Sequence, residues 1–361
     1  MSDAILTINA GSSSLKCRLV RADAPAENLG DLRVTGLGEA PVLSVAGKDT
    51  ALDPNMDHRA ALHHVLQRVD VMPGLKLTAV GHRIVHGGPD HVQPERITPA
   101  LLDTLDRLTP LAPLHMPHNL APARALMADR PDLPQVACFD TAFHATMPAL
   151  ATHFALPEHF YQEGVRRYGF HGLSYEWVAQ DLAQNHPDLS HGRVVVAHLG
   201  NGASACALKA GKSVDTSMGM TALDGLMMGT RSGSIDPGVV LYLIRQKGMT
   251  ADAVDRLLST GAGLKGVSGR SHDVRRLRES HDTAAAFALD MFADRAAKWI
   301  AALTISLGGL DGLVFTGGIG ENDTEMRAAI TDRLAHLAPF RALTIPTNEE
   351  AMIAHHTAGM L

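Results

Sequence analysis

The feature that most constrains the fold is a local plan that occurs twice. Residues 4–9 (AILTIN) form an apolar run, residues 10–14 are small and turn-prone, and residues 15–20 (LKCRLV) resume the apolar pattern. Two apolar runs around a Gly/Ser turn read as a β-hairpin. The same order returns in residues 194–197, 198–204 (HLGNGAS) and 205–208, with Gly11 and Gly200 in like places about half the chain apart. That spacing predicts two related domains, each opening on a glycine-tipped hairpin. A chain of 361 residues is long enough for two domains and for a core that needs no disulfides.

Apolar residues recur at three- and four-residue spacing in 57–69, 99–108, 120–128 and 174–184, which predicts helices. Residues 283–307 make the longest such stretch, one or two helices, with an Ala-rich face suited to close packing, including against a partner subunit. Strand-like runs at 77–80, 136–139, 194–197 and 312–315 lie between these helices. Alternation of this kind gives an α/β protein with mixed sheets. No low-complexity linker divides the chain. The boundary is set after Phe143, giving domains 1–143 and 144–349.

Charge and composition exclude several classes. The net charge is −6 with His neutral, so there is no basic footprint for nucleic acid. The longest apolar stretch, 299–310, is too short for a membrane span and is interrupted by Thr304 and Ser306. The apolar run near the N-terminus is too short for a secretion signal. Cys17, Cys138 and Cys206 are scattered without CxxC spacing, which suits reduced thiols in a cytoplasmic protein. The 20 histidines are dispersed, which argues against metal storage.

Chemistry concentrates in turns that follow apolar strands, where ligands bind in open α/β sheets. NAGSSSLK (9–16), HLGNGAS (198–204), MGTRSGSIDPG (228–238) and TGGIGEN (316–322) are glycine-rich. A backbone without Cβ can approach phosphate oxygens and aim N–H groups at them. One such loop alone is also an ordinary tight turn; four in one chain point to a nucleotide. None has the Walker or dinucleotide spacing. A second group of segments supplies charge: GHRIVHGG (81–88) carries Arg83 and His86, CFDTAFH (138–144) carries Asp140, and RRYGFHG (166–172) carries His171. Phosphoryl transfer needs this combination, because positive charge must surround the phosphoryl oxygens while donor and acceptor are held in line. Arginine offers a planar fork for carboxylate and phosphate.

In order and spacing these segments, together with the block 215–238 (DTSMGMTALDGLMMGTRSGSIDPG) and PTNEE (346–350), resemble the acetate kinase family over nearly the whole chain. The resemblance implies the actin-like ATPase (ribonuclease H-like) fold, with two related domains flanking an active-site cleft. It implies a nucleotide-binding C-terminal domain and a C-terminal helix, about 350–361, that returns to the first domain. It also implies a cytoplasmic homodimer that transfers the γ-phosphoryl of ATP to acetate reversibly, giving acetyl phosphate and ADP. The cofactor implied is Mg²⁺, with Mn²⁺ able to substitute.

Residue by residue, the resemblance assigns Asn9 and Glu349 to the metal and Lys16 to a nucleotide phosphate. Arg83 and Arg231 match the arginines at the carboxylate and the transferring phosphoryl. Asp140 matches the catalytic aspartate and His171 a transition-state stabiliser, while His115, in PLHMPHN, matches another active-site histidine. Val85, Leu114 and Phe170 match an apolar pocket for the acyl methyl group. His198, Leu199, Gly200, Asn201 and Gly202 match a phosphate loop. Asp273, Val274 and Arg275 match adenosine contacts, as do Gly318, Ile319, Gly320, Glu321 and Asn322.

Acetate is already ionised at neutral pH, so its attacking oxygen has no proton to lose. Asp140 is then expected to organise metal, water or Arg83, with no role as a base. A kinase acting on a sugar or other alcohol would use Asp140 as its base, and a non-catalytic ATP-binding module would not need Arg83, His171 and Arg231. Pyrophosphate in place of ATP stays open, as does propionate, because Ala222 stands where many relatives have proline. Tyr175 stands where many relatives have histidine. Residues 21–57 and 332–343 are expected to be trimmed peripheral loops.

Overall fold

The computed structural model describes residues 2–361. The chain divides into two compact units, Met1–Phe143 with Asn348–Leu361, and His144–Thr347.

The first unit is built on β1 (Ser2–Gly11), β2 (Ser14–Arg21), β3 (Asn28–Thr35), β4 (Val42–Val45), β5 (Lys48–Ala51), β6 (Leu75–Ile84), β7 (Glu95–Arg96) and β8 (Gln135–Phe139). They form one sheet in the order β5-β4-β3-β2-β1-β6-β8-β7. β1 and β2 are the hairpin, paired in register from Ala4↔Arg21 to Gly11↔Ser14. β1 runs parallel to β6, and β6 parallel to β8. Every residue from Ala4 to Ile8 is buried, because helices cover both faces of this strand. Leu6 and Ile8 pack with Leu62 and Val65 of the helix His58–Asp70. Ile5 and Ala79 meet Ala354 of the C-terminal helix, Glu349–Gly359, on the other face.

The second unit contains β9 (Arg193–Leu199), β10 (Ala203–Lys209), β11 (Lys212–Thr216), β12 (Gly312–Thr316) and β13 (Arg341–Thr344), in the order β11-β10-β9-β12-β13. β9–β10 and β10–β11 are antiparallel, whereas β9–β12 and β12–β13 are parallel. The stretch β3-β2-β1-β6-β8 has the same order and the same directions. The two units are therefore topological repeats, each starting from one of the hairpins.

One expectation is corrected and another is narrowed. Residues 21–57 are not a bare loop: β3, β4 and β5 widen the first sheet, with Leu32, Val34 and Leu43 buried. Residues 283–307 form one helix, capped by Asp282 at its start and by Gly308 in the left-handed conformation at its end. Its alanine face, including Ala285, Ala288, Ala293 and Ala296, is buried against its own unit and is not left for a partner. The short apolar helix Pro237–Arg245, by contrast, buries none of its residues, and Leu241 and Tyr242 are about half exposed. Among the described residues no helix is long and apolar enough to cross a membrane.

Candidate active site

In the first unit the polar cluster forms at the carboxyl ends of β1, β6 and β8. Arg83, near the end of β6, donates from Nε to Asp140 Oδ1 at 3.0 Å and from Nη2 to Asp140 Oδ2. Its Nη1 donates to Asn9 Oδ1 at 3.2 Å, and Glu349 Oε2 lies 3.6 Å from Nε. Asn9 Nδ2 donates to Glu349 Oε2 at 3.5 Å. Asp140 is fully buried. Burial opposes the charge on Arg83, but Asp140 and Glu349 together hold its pKa above the ordinary arginine value. One positive group thus faces two carboxylates, and the donor set of two carboxylates and an amide suits a hard cation that keeps most of its own water. Lys16 is exposed on β2 directly across from Asn9, on the same face of the hairpin.

Two features place these side chains. Glu349 begins the C-terminal helix, whose Ile353 and Thr357 press on β6 at Gly81; an added Cβ at Gly81 would overlap both. Asn119, which the sequence reading left out, is buried between loops: its Oδ1 accepts from Val85 N at 2.9 Å and its Nδ2 donates to Ala10 O at 2.7 Å. It ties the segment after Arg83 to the segment after Asn9. In the sequence Asn119 is the last residue of PLHMPHN, the segment that carries His115. His115 stands at the N-terminal boundary of the helix Met116–Asp129 without a side-chain capping hydrogen bond, Val85 is buried and Leu114 is 48% exposed.

In the second unit His171 sits before the helix Gly172–Asn185 with φ +58°, a left-handed conformation unusual for a residue with a side chain. Such local strain is often held in place at functional sites. Its Nδ1 meets Ser204 Oγ at 2.8 Å, and its ring stacks on His198, with centroids 4.3 Å apart. His198 Nδ1 in turn meets Ser174 Oγ at 2.8 Å. Behind them, His144 contacts Ser213 Oγ through Nδ1 and donates from Nε2 to the Phe170 carbonyl, which fixes the backbone just before His171. Burial pushes the His144 pKa down to about 4, so it is neutral at pH 7. Phe170 itself is buried. Arg231 donates from Nη1 to the Ala222 carbonyl at 2.9 Å. A Cβ built on Gly202 would lie 3.4 Å from His171 Nε2 and 3.7 Å from Arg231 Nη1. The imidazole and the guanidinium therefore converge on the bare backbone of the HLGNGAS turn, the arrangement a phosphate cradle requires.

Beside that turn lies a cavity of about 730 Å³, lined by Gly200 and Asn201, by Asp273, Val274 and Arg275, and by Gly318, Ile319 and Asn322. Its size falls in the range of small-molecule sites. Gly320 and Glu321 are not among its lining residues. Gly320 is buried against β12 and β9, and Glu321 Oε1 accepts from the backbone N–H groups of Gly317 and Thr347, so both support the loop from behind. Leu199 is buried in β9.

Both duplicated sheets carry an arginine-bearing polar cluster and glycine turns at their strand ends, groups suited to binding phosphate. The sequence model of the Acetokinase family matches residues 4–339. The chain is 46% identical to an acetate kinase from Nitrobacter hamburgensis, over 99% of this chain and 96% of that one. It is 44% identical to an acetate kinase from Rhodopseudomonas palustris, over 99% and 98%. Among solved structures, a propionate kinase from Francisella tularensis superposes with TM-score 0.93 at 35% identity, over 100% of both chains. The acetate kinase of Porphyromonas gingivalis gives 0.88 at 34%, over 99% of this chain and 100% of that one. The chain belongs to the acetokinase family.

Proposed function

We propose that this chain catalyses reversible transfer of the γ-phosphoryl group of ATP to acetate, giving acetyl phosphate and ADP. The observation that carries the reading is the convergence of His171 and Arg231 on the Gly202 backbone, next to a cavity of nucleotide size. Adenosine would occupy that cavity between Asp273, Val274, Arg275 and the 318–322 segment, with the phosphates along residues 198–202 and toward Lys16. Arg83, aligned by Asp140, would hold the acetate carboxylate, with Val85, Leu114, His115 and Phe170 near the acyl group. One carboxylate oxygen attacks the γ-phosphorus in line as the bond to the β,γ-bridging oxygen breaks, and ADP leaves with that electron pair. His171 and Arg231 hydrogen-bond the equatorial oxygens, where charge spreads in the transition state. Asp140 takes no proton, since acetate brings none.

Mg²⁺, or Mn²⁺ in its place, would be held through Asn9 and Glu349 and would neutralise charge on the phosphate oxygens. Reduced, buried cysteines suit a cytoplasmic setting. The unburied apolar helix Pro237–Arg245 suits a homodimer face. Propionate is the second reading, favoured by the likeness to a solved propionate kinase and by Ala222, whose carbonyl steadies Arg231. One extra methylene in an apolar pocket is worth only about 1–3 kcal/mol.

Acyl-hydroxamate formation tests both readings. Acetate, propionate and butyrate are supplied in turn, each with ATP or with pyrophosphate. Product from acetate with ATP is the expected result. A higher kcat/KM for propionate would select the second reading, and no product from any acid would reject both.

A further inference from the structure

We infer that Tyr175 and Ser204 form a proton-ordered relay that fixes the tautomer of His171, making both of them positioning residues for phosphoryl transfer. The inference rests on the reaction proposed above and adds two residues to it.

Tyr175 lies on the helix that His171 starts, one turn further on, and is fully buried. Its phenolic oxygen makes a short contact with Ser204 Oγ, and Ser204, also fully buried on β10, is 2.8 Å from His171 Nδ1. A serine between a phenol and an imidazole has one proton to place. The phenol is the more acidic hydroxyl and the better donor, so its proton goes to Ser204 Oγ. Burial holds Tyr175 protonated, far above the ordinary tyrosine range, which keeps that donor in place. Ser204 then directs its own proton to Nδ1. An imidazole that accepts at Nδ1 carries its proton on Nε2. Nε2 is the atom that faces the Gly202 backbone, alongside Arg231.

The relay thus presents an N–H donor where charge develops on the phosphoryl oxygens. The other tautomer would present a lone pair there and repel them. A buried, fully connected chain of this kind needs no reorganisation during turnover. Stacking on His198 holds the ring plane, while the relay holds the proton.

Two variants and one spectroscopic readout test the inference. Tyr175→Phe removes only the hydroxyl, and Ser204→Ala removes the link; thermal melting checks that each remains folded. Nitrogen-15 spectra of histidine-labelled protein, at a pH where the ring is neutral, report the tautomer, with the His171 signal assigned by its loss in His171→Gln. The expected wild-type signal is Nε2–H. Both variants should gain an Nδ1–H population and lose about tenfold in kcat, the scale of one buried hydrogen bond, with KM for acetate and ATP little changed. An Nδ1–H signal in the wild type, or an unchanged Nε2–H signal in both variants, overturns the inference. So does a changed tautomer with unchanged kcat. Failure of the reaction itself would show separately, as absence of acyl phosphate with the wild-type enzyme.

Discussion

Arg83 is gripped by Asp140 through both Nε and Nη2, in a site where Asp140 has no exposure to water. Removing one partner of such a pair leaves an uncompensated charge, typically at a cost of about 3–5 kcal/mol. If Asp140 acts through Arg83, the two residues are one unit and their effects do not add. Asp140→Asn should lower turnover by about a hundredfold. Adding it to Arg83→Ala should cost almost nothing more in kcat/KM for acetate, and full additivity in that cycle would contradict an organising role.

Two other buried groups set a pH limit. His82 and His144 are both pushed down to about 4, by burial first. Each has a depressed folded-state pKa, so its contribution is fully present above about 6.5 and is lost as pH falls toward about 4. Each contributes on the order of 3 kcal/mol over that window. Unfolding at about pH 5 should therefore take up roughly two protons, measurable from the pH dependence of urea unfolding; a flat profile between pH 6.5 and 4 would exclude it. At this scale the sequence made legible the residues that carry charge in short motifs, such as Arg83, Asp140 and His171. It did not reveal Asn119, Ser204 or the role of Tyr175, because their partners lie on elements far away along the chain.

The C-terminal helix reaches the polar cluster only because β6 carries glycine where Ile353 and Thr357 press in. Gly81→Ala should push the helix away and carry Glu349 with it. The expected result is a lower melting midpoint together with a higher magnesium concentration for half-maximal turnover. Gly359→Ala, at the far end of the same helix where a Cβ meets nothing, should leave the magnesium dependence unchanged and should not lower the melting midpoint. If Gly81→Ala left the magnesium dependence unaltered, Glu349 would lose its place in the account. Elements with long, regular patterns were readable in advance: the two hairpins, and the helical stretch 283–307, which the structure resolves into a single helix. β3 to β5 were not, because β5 is wholly exposed and β4 is only four residues long. Strands at or near a sheet edge, as these are, take their structure from the neighbours they pair with, which local pattern does not record.

The molecule as a whole is a duplication, with the strand order of one unit repeated in the other and then elaborated at the edge of the first. The hairpin plan exposed that repeat in the sequence, since each turn had to stay small. The alanine stripe of Thr283–Leu307 packs closely inside its own unit, while Leu241 and Tyr242 of Pro237–Arg245 are among the apolar side chains that stay exposed. Leu241→Glu combined with Tyr242→Glu should convert a dimer into a monomer in sedimentation analysis, and a wild-type chain that sediments as a monomer would remove that face from consideration. Direct transfer between ATP and a carboxylate is the central step of the proposed reaction. ATP made chiral at the γ-phosphorus with oxygen isotopes, incubated with acetate and the enzyme, should yield acetyl phosphate inverted at phosphorus; retention, or no labelled acetyl phosphate at all, would contradict it.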